Sequence, residues 1–130
     1  MLLLDTSVLV ELKALLIPAS AFALSAVSYA ELKFGIEASP NETERQVREL
    51  RLLELESYGF QWLPFDRAAG DGYGKVAARI ALTRPAHARS KDAMLAGHAY
   101  ALGASIATLN PKDFEASLDL VPIVVPQRRR

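Results

Sequence analysis

Four positions along this chain carry carboxylates in settings suited to chemistry. Asp5 closes the apolar opening M-L-L-L-D, and Glu31 lies in S-Y-A-E. Asp92 heads K-D-A-M-L-A-G-H-A, and Asp113 follows Asn110 in L-N-P-K-D-F. Taken singly, each has a structural reading. Asp5 suits the N-cap of a helix, and Glu31 suits a capping box begun by Ser28. Asp92 favours the positive end of its own helix. Against that stands the apolar company they keep. Leu95, Ala96 and Ala99 fall on a core-facing stripe headed by Asp92, and Glu31 shares a face with Val27, Phe34 and Ala38. Carboxylates are seldom placed against a core without a partner.

Elements must bring those acids together. Leu2–Leu4 reads as a strand, V-L-V-E-L-K-A-L-L as a helix, and A-F-A-L-S as a second strand. A helix is expected from Ser28 to about Ala38. Residues 41–58 form a charged amphipathic helix with Val47, Leu50, Leu52 and Leu53 on its apolar side, stopped by Gly59. F-Q-W-L-P-F is a strand whose proline favours an edge. Asp66 caps a helix running to about Leu82. Asp92 opens a helix that Gly103 ends. The apolar S-I-A-T-L and V-P-I-V-V-P supply the last strands. Gly70, Gly72 and Gly74 fit neither a dinucleotide fingerprint nor a P-loop, and close packing or a loosened first turn explains them better. His98 reads as a packing residue and His87 as a surface histidine.

Composition narrows the classes. The chain of 130 residues fits one domain, 1–130, with a short solvated basic tail at 127–130. It is 51% hydrophobic and 23% charged, enough apolar matter for a core. Lys+Arg and Asp+Glu both number 15, so any nucleic-acid binding must come from a local patch. Arg84, Arg89 and Lys91, beside Asp92, offer one. There is no cysteine, which excludes disulfides and cysteine-based zinc sites. No apolar run approaches the roughly 18 residues of a membrane span. The opening is too short for a signal peptide. A cytoplasmic location is expected.

Strands alternating with helices imply an α/β fold, three layers with a mainly parallel central sheet. On that frame Asp5, Glu31, Asp92 and Asn110–Asp113 all gather at the carboxyl edge of the sheet, where open α/β folds bind ligands. Converging carboxylates, with no lysine or arginine interleaved in their motifs, repel unless one stays protonated. A divalent cation resolves this, and oxygen-only ligands suit Mg²⁺ or Mn²⁺. Asp66 reaches the same edge but on a strand far from the crevice, and reads as an N-cap.

The residues L-L-L-D-T-S, S-A-V-S-Y-A-E-L-K-F-G-I, L-P-F-D, K-D-A-M-L-A-G-H-A and A-T-L-N-P-K-D-F, in that order, resemble the PIN-domain ribonucleases, specifically VapC-type toxins of toxin–antitoxin pairs. The resemblance spans nearly the whole chain. It implies a Mg²⁺- or Mn²⁺-dependent endoribonuclease with acids at Asp5, Glu31, Asp92 and Asp113. Asp5, Asp92 and Asp113 would bind metal, and Glu31 would hold or deprotonate the attacking water. Thr6 and Thr108 match positions that orient carboxylates, and Asn110 shares the fourth position with Asp113. Arg84, Arg89 and Lys91 would meet RNA phosphates. The resemblance also implies a VapB-type antitoxin and a toxin homodimer. A groove beside Tyr29, Phe34, Leu52 and Leu55 is the expected docking face. The chain departs from the pattern between Asp5 and Glu31, where E-L-K-A-L-L-I-P-A-S is shortened.

Two other functions remain open on sequence. One is an acid-cluster hydrolase of small phosphate esters, although such folds usually place a second aspartate where Ser7 stands. The other is a PIN-like binding module with a decayed site.

Overall fold

The strand at the centre of the sheet is β1 (Leu2–Leu4), and its three leucines are all buried. The computed structural model describes residues 1–19 and 21–130. Ser20, the last residue of the shortened stretch, lies outside the described residues. After β1 come α1 (Thr6–Leu9), β2 (Leu15–Leu16), β3 (Phe22–Ser25), α2 (Ala26–Glu37) and α3 (Glu42–Ser57). β4 (Trp62–Leu63), α4 (Arg67–Ala81), α5 (Lys91–Leu102), β5 (Ser105–Ala107), β6 (Ile123–Val124) and β7 (Gln127–Arg128) complete the chain. The main sheet runs β4-β3-β1-β5-β6, every pair parallel. This is the mainly parallel α/β architecture expected, with β4, which stops just before Pro64, on an edge.

Alternation along β1 divides the core. Leu3 faces Ile106, Val76, Ala96, Ala99 and Val121 on the α4–α5 side. Leu2 and Leu4 face Leu9, Leu15, Leu24 and Leu55 on the other. The α4–α5 layer is tight because of two glycines. A Cβ on Gly72 would sit 2.2 Å from Gly97 O, and one on Gly97 would sit 2.3 Å from Tyr73 Cα. Gly72 therefore serves close packing. Gly70 and Gly74 have nothing near the Cβ they lack. Gly103, at φ 65°, ends α5 in the left-handed region, as expected.

Several local expectations give way to tertiary context. The first helix is four residues long. The chain then makes a 3₁₀ turn at Leu12–Ala14 and enters β2, which pairs antiparallel with β7. The basic tail is thus partly a strand, and Arg128 Nη1 lies 2.6 Å from Glu11 Oε1. The second helix begins at Ala26, not Ser28. Ser25, at the end of β3, accepts from the Val27 amide at 3.0 Å and is the cap. No capping box forms at Ser28–Glu31, because Ser28 is already inside the helix. On α3 the buried residues are Leu52 and Leu55, whereas Leu50 and Leu53 are 66% and 65% exposed. The helix carries two apolar stripes, and the one that packs on α2 reaches the core at Leu9 and Leu24 through Leu55. Among the described residues no helix is long and apolar enough to cross a membrane.

Candidate active site

Strand order reverses at β1, with β3 on one side and β5 on the other, so a crevice opens at their carboxyl ends. Asp5 leaves β1 there and caps α1. Three donors hold its carboxylate. The Thr6 amide donates to Oδ1 at 2.8 Å, and Ser7 Oγ and Thr108 Oγ1 donate to Oδ2 at 2.9 and 2.8 Å. Thr108, fully buried just past β5, accepts in turn from the Asn110 amide at 3.0 Å. Ser7 Oγ accepts from the Leu109 amide at 3.1 Å. Two loops from neighbouring strands are thereby laced to one aspartate. Burial raises the Asp5 pKa above its ordinary 3.8, and the three donors pull against that rise.

Asp5, Glu31, Asp92, Asn110 and Asp113 line one pocket of about 260 Å³ with Thr6, Ser7, Val10 and Lys91. The convergence read from topology is present in the structure. Asp92 sits in the first turn of α5, whose cap Ser90 accepts from the Ala93 amide at 3.1 Å. Its pKa is pushed up to about 6, first by burial, then by the charges of Asp5 and Asp113, with Lys91 opposing. Asp113 lies exposed on the rim, in the 3₁₀ turn Pro111–Ser117. Asn110 is exposed beside it and makes no capping bond with its side chain.

Three placements differ from expectation. Thr6 touches Asp5 through its backbone amide. The hydroxyl at Asp5 belongs instead to Ser7, two residues past the acid, a spacing at which Ser commonly bonds locally. Lys91 does not stand outside the acids. Its Nζ reaches Glu31 Oε1 at 3.0 Å, and Glu31, Asp92 and Asp5 all raise its pKa. The cluster therefore has an interleaved cation, which adjacency to Asp92 in sequence hid. Third, among the described residues no three acidic or histidine side chains are set to hold a metal ion. Asp5, Asp92 and Asp113 do not form a ready-made triad. The donor set still fits Mg²⁺ or Mn²⁺, because hard cations take oxygen ligands and Mg²⁺ keeps several waters while bound by one or two carboxylates.

The remaining candidates spread out. Arg84 donates from Nη1 to Lys112 O at 3.3 Å, and its Nη2 lies 2.9 Å from His87 Nε2, at the flank of Asp92 and Asp113. Arg89 is exposed and does not line the acid pocket. Asp66 caps α4 through the Ala69 amide at 2.9 Å, away from the other acids. His98 is buried, with Nδ1 2.8 Å from Ser25 Oγ and its ring edge-on to Phe65, and burial lowers its pKa. It packs, as expected. Of the expected docking residues, Leu52 and Leu55 are core, Tyr29 stacks edge-on with Trp62, and only Phe34, 72% exposed, stays open.

Comparison with known proteins gives the family and the fold. A family model described as PIN domain matches residues 2–116. The chain is 33% identical over 101 residues to the VapC ribonuclease Y4jK of Sinorhizobium fredii (strain NBRC 101917 / NGR234), spanning 75% of this chain and 71% of that one. Among solved structures it is similar to FitAcB from Neisseria gonorrhoeae, with a TM-score of 0.72, 25% identity, and 96% and 97% of the two chains covered. It shares its fold with VapBC-5, a member of the VapBC family of toxin-antitoxin systems from Mycobacterium tuberculosis. That match has a TM-score of 0.70 and 23% identity over 94% and 95% of the chains.

Proposed function

Since the chain belongs to the PIN domain family, in its VapC ribonuclease branch, we propose that it is an endoribonuclease toxin hydrolysing RNA phosphodiesters with Mg²⁺ or Mn²⁺ in the pocket of Asp5, Glu31, Asp92 and Asp113. The observation that supports this most is the pairing of a fixed carboxylate, Asp5, with a strained one, Asp92. Ser90 already caps α5, and burial with the charges of Asp5, Asp113 and Glu31 pushes the Asp92 pKa up to about 6, a combination that clusters at functional sites.

Asp5 and Asp92 would hold the cation, with Asp113 and Asn110 completing the rim. When bound, the cation would lower the pKa of a water and stabilise charge on the phosphoryl oxygens. Thr108 and Ser7 keep Asp5 in one orientation, so its oxygens need no reorganisation during the reaction. Glu31 would accept the proton of the attacking water. Its Oε1 is engaged by Lys91, and an incoming phosphate competes for that ammonium and so releases Glu31. Lys91, Arg84 and Arg89 would hold substrate phosphates, supplying position and salt-dependent affinity. A tRNA or ribosomal loop is the proposed target class, because unstacked loop bases are open to specific reading. The small-ester reading loses support because Ser7, at the position of its second aspartate, donates to Asp5.

For partners we propose a VapB-type antitoxin and a homodimer. The solved VapBC-5 structure is named as a member of a family of toxin-antitoxin systems. An apolar pocket of about 520 Å³, lined by Leu9, Leu12, Val47, Leu50 and Tyr58 and sharing Arg51 with a neighbouring cleft, is the surface that favours such contacts.

The test is cleavage of end-labelled tRNA and ribosomal RNA with millimolar Mg²⁺ or Mn²⁺, alongside a small phosphate ester. Asp5→Ala and Asp92→Ala should each lose orders of magnitude in rate. Glu31→Gln should keep Mn²⁺-induced thermal stabilisation yet lose cleavage. Wild-type protein that hydrolyses the ester and spares both RNAs would overturn the proposal.

A further inference from the structure

Of the cations near the acids, Lys91 stands among them and Arg84 on the flank of Asp92 and Asp113. A strand crossing the pocket needs counter-charge on the other flank too, because carboxylates repel its phosphates. α3 supplies it. Arg48 and Arg51 are three positions apart, hence on one helix face. They line a second cleft of about 240 Å³ with Thr6, Val10, Glu31, Leu32 and Gly35. Thr6, Val10 and Glu31 also line the acid pocket, so the two clefts adjoin across the Glu31 side chain.

The two arginines differ in a telling way. Arg48 is braced, donating from Nη1 to Gly35 O at 2.6 Å, with its Nε 3.5 Å from Glu44 Oε2. Arg51 is half-buried, and among the described residues it makes no ion pair. A guanidinium partly withdrawn from water and unpaired gains strongly from an oxyanion, which it can meet bidentately. Val10 and Leu32 give the cleft apolar walls against which a sugar or base can lie.

We propose that the Arg48–Arg51 cleft is a single-stranded RNA subsite, in which Arg51 grips the backbone phosphate flanking the one cut at the acid pocket. This rests on the ribonuclease reading above. RNA suits the cleft better than an acidic peptide does. A single strand sets a phosphate on the arginines and its sugar or base on Val10 and Leu32 together, whereas an acidic peptide offers the cleft carboxylates but no flat ring for those walls.

The experiment measures binding of a labelled single-stranded RNA 12-mer to the full chain in EDTA across a salt series, for wild type, Arg51→Gln and Arg51→Lys. Arg51→Gln should bind about tenfold more weakly at low salt, as for loss of one charge-assisted bond. Its salt slope should fall by about 0.7, the value for one single-strand phosphate. Arg51→Lys should keep the slope, and cleavage by Arg51→Gln should show raised KM with kcat little changed. Mn²⁺-induced thermal stabilisation should match wild type in both variants, which shows the fold and acid pocket intact. Wild type and Arg51→Gln binding RNA with equal affinity and slope would overturn the subsite alone. A wild type that binds no RNA would overturn it together with the ribonuclease reading. RNA binding retained while affinity for poly-glutamate is lost would reassign the arginines to a protein partner and overturn the subsite.

Discussion

Replacing Asp92 by asparagine should make the metal-free protein more stable, and the structure sets the size of the gain. Burial and the charges of Asp5 and Asp113 raise the Asp92 pKa from 3.8 to about 6. Its folded-state pKa thus exceeds its unfolded one, so between 3.8 and 6 the folded chain holds more proton than the unfolded chain. Stability therefore falls as pH rises through that window, and the full penalty applies above it. A rise of that size corresponds to about 3 kcal/mol for a group sealed from water. Asp92 is only half-buried, and solvent screening leaves about 1–2 kcal/mol. The asparagine forfeits the favourable meeting of Asp92 with the N-terminus of α5, about 0.3–1 kcal/mol. The repulsive effect wins by roughly 1 kcal/mol, or about 3–5 °C in Tm for a domain of this size. Thermal melts at pH 7.5 in EDTA should show Asp92→Asn above wild type, with the gap closing as pH falls toward 4. Adding Mn²⁺ should reverse the order. With a Kd of about 0.1 mM, 1 mM Mn²⁺ would stabilise wild type by about 1.4 kcal/mol and the variant hardly at all. A variant no more stable than wild type at pH 7.5, with no dependence of the difference on pH, would refute the assignment of strain to this pocket.

Other substitutions test the supports of the site. Thr108→Val removes a hydroxyl that lowers the Asp5 pKa, so that pKa should climb further and the cation-dependent rate should shift to higher pH. It also takes a donor from the buried Asp5 carboxylate, at about 1–3 kcal/mol in a denaturant melt. Asp66→Ala should leave the rate unchanged and cost about 1 kcal/mol as a lost cap, read by kinetics and melting together. Gly97→Ala drives a Cβ into the backbone of Tyr73 and should cost about 1–3 kcal/mol. Gly70→Ala, with nothing near its new methyl, should instead gain about 0.5–1 kcal/mol. Equal melting temperatures for the two glycine variants would sink the close-packing account of α4 and α5.

Much of the fold and the acid cluster was legible in the one-dimensional pattern. Apolar runs alternating with helical stripes specify a parallel sheet, and the acids follow the strands or head the helix that topology returns to the same edge. Asp5, Asp92 and Gly103 could be placed because local rules act on them: a cap, a stripe, a left-handed stop. The rest depended on groups far apart in sequence. Ser25 displaced Ser28 as the cap of α2 because β3 runs directly into the helix. Leu52 and Leu55, not Leu50 and Leu53, are buried because α2 and the core around Leu9 and Leu24 cover one stripe of α3 and leave the other in water. Gln127 and Arg128 became a strand because β2 offered unpaired backbone groups. Ser7 lies within local reach of Asp5, but its hydroxyl is fixed there by the Leu109 amide and Thr108 from beyond β5. Lys91 entered the acids because its long side chain spans from α5 to Glu31 on α2, a distance set by the packing of two helices. Periodicity and capping act within a few residues, so sequence carries them. Which stripe is covered, which hydroxyl bonds and which charge pairs are decided only when remote segments compete for the same space.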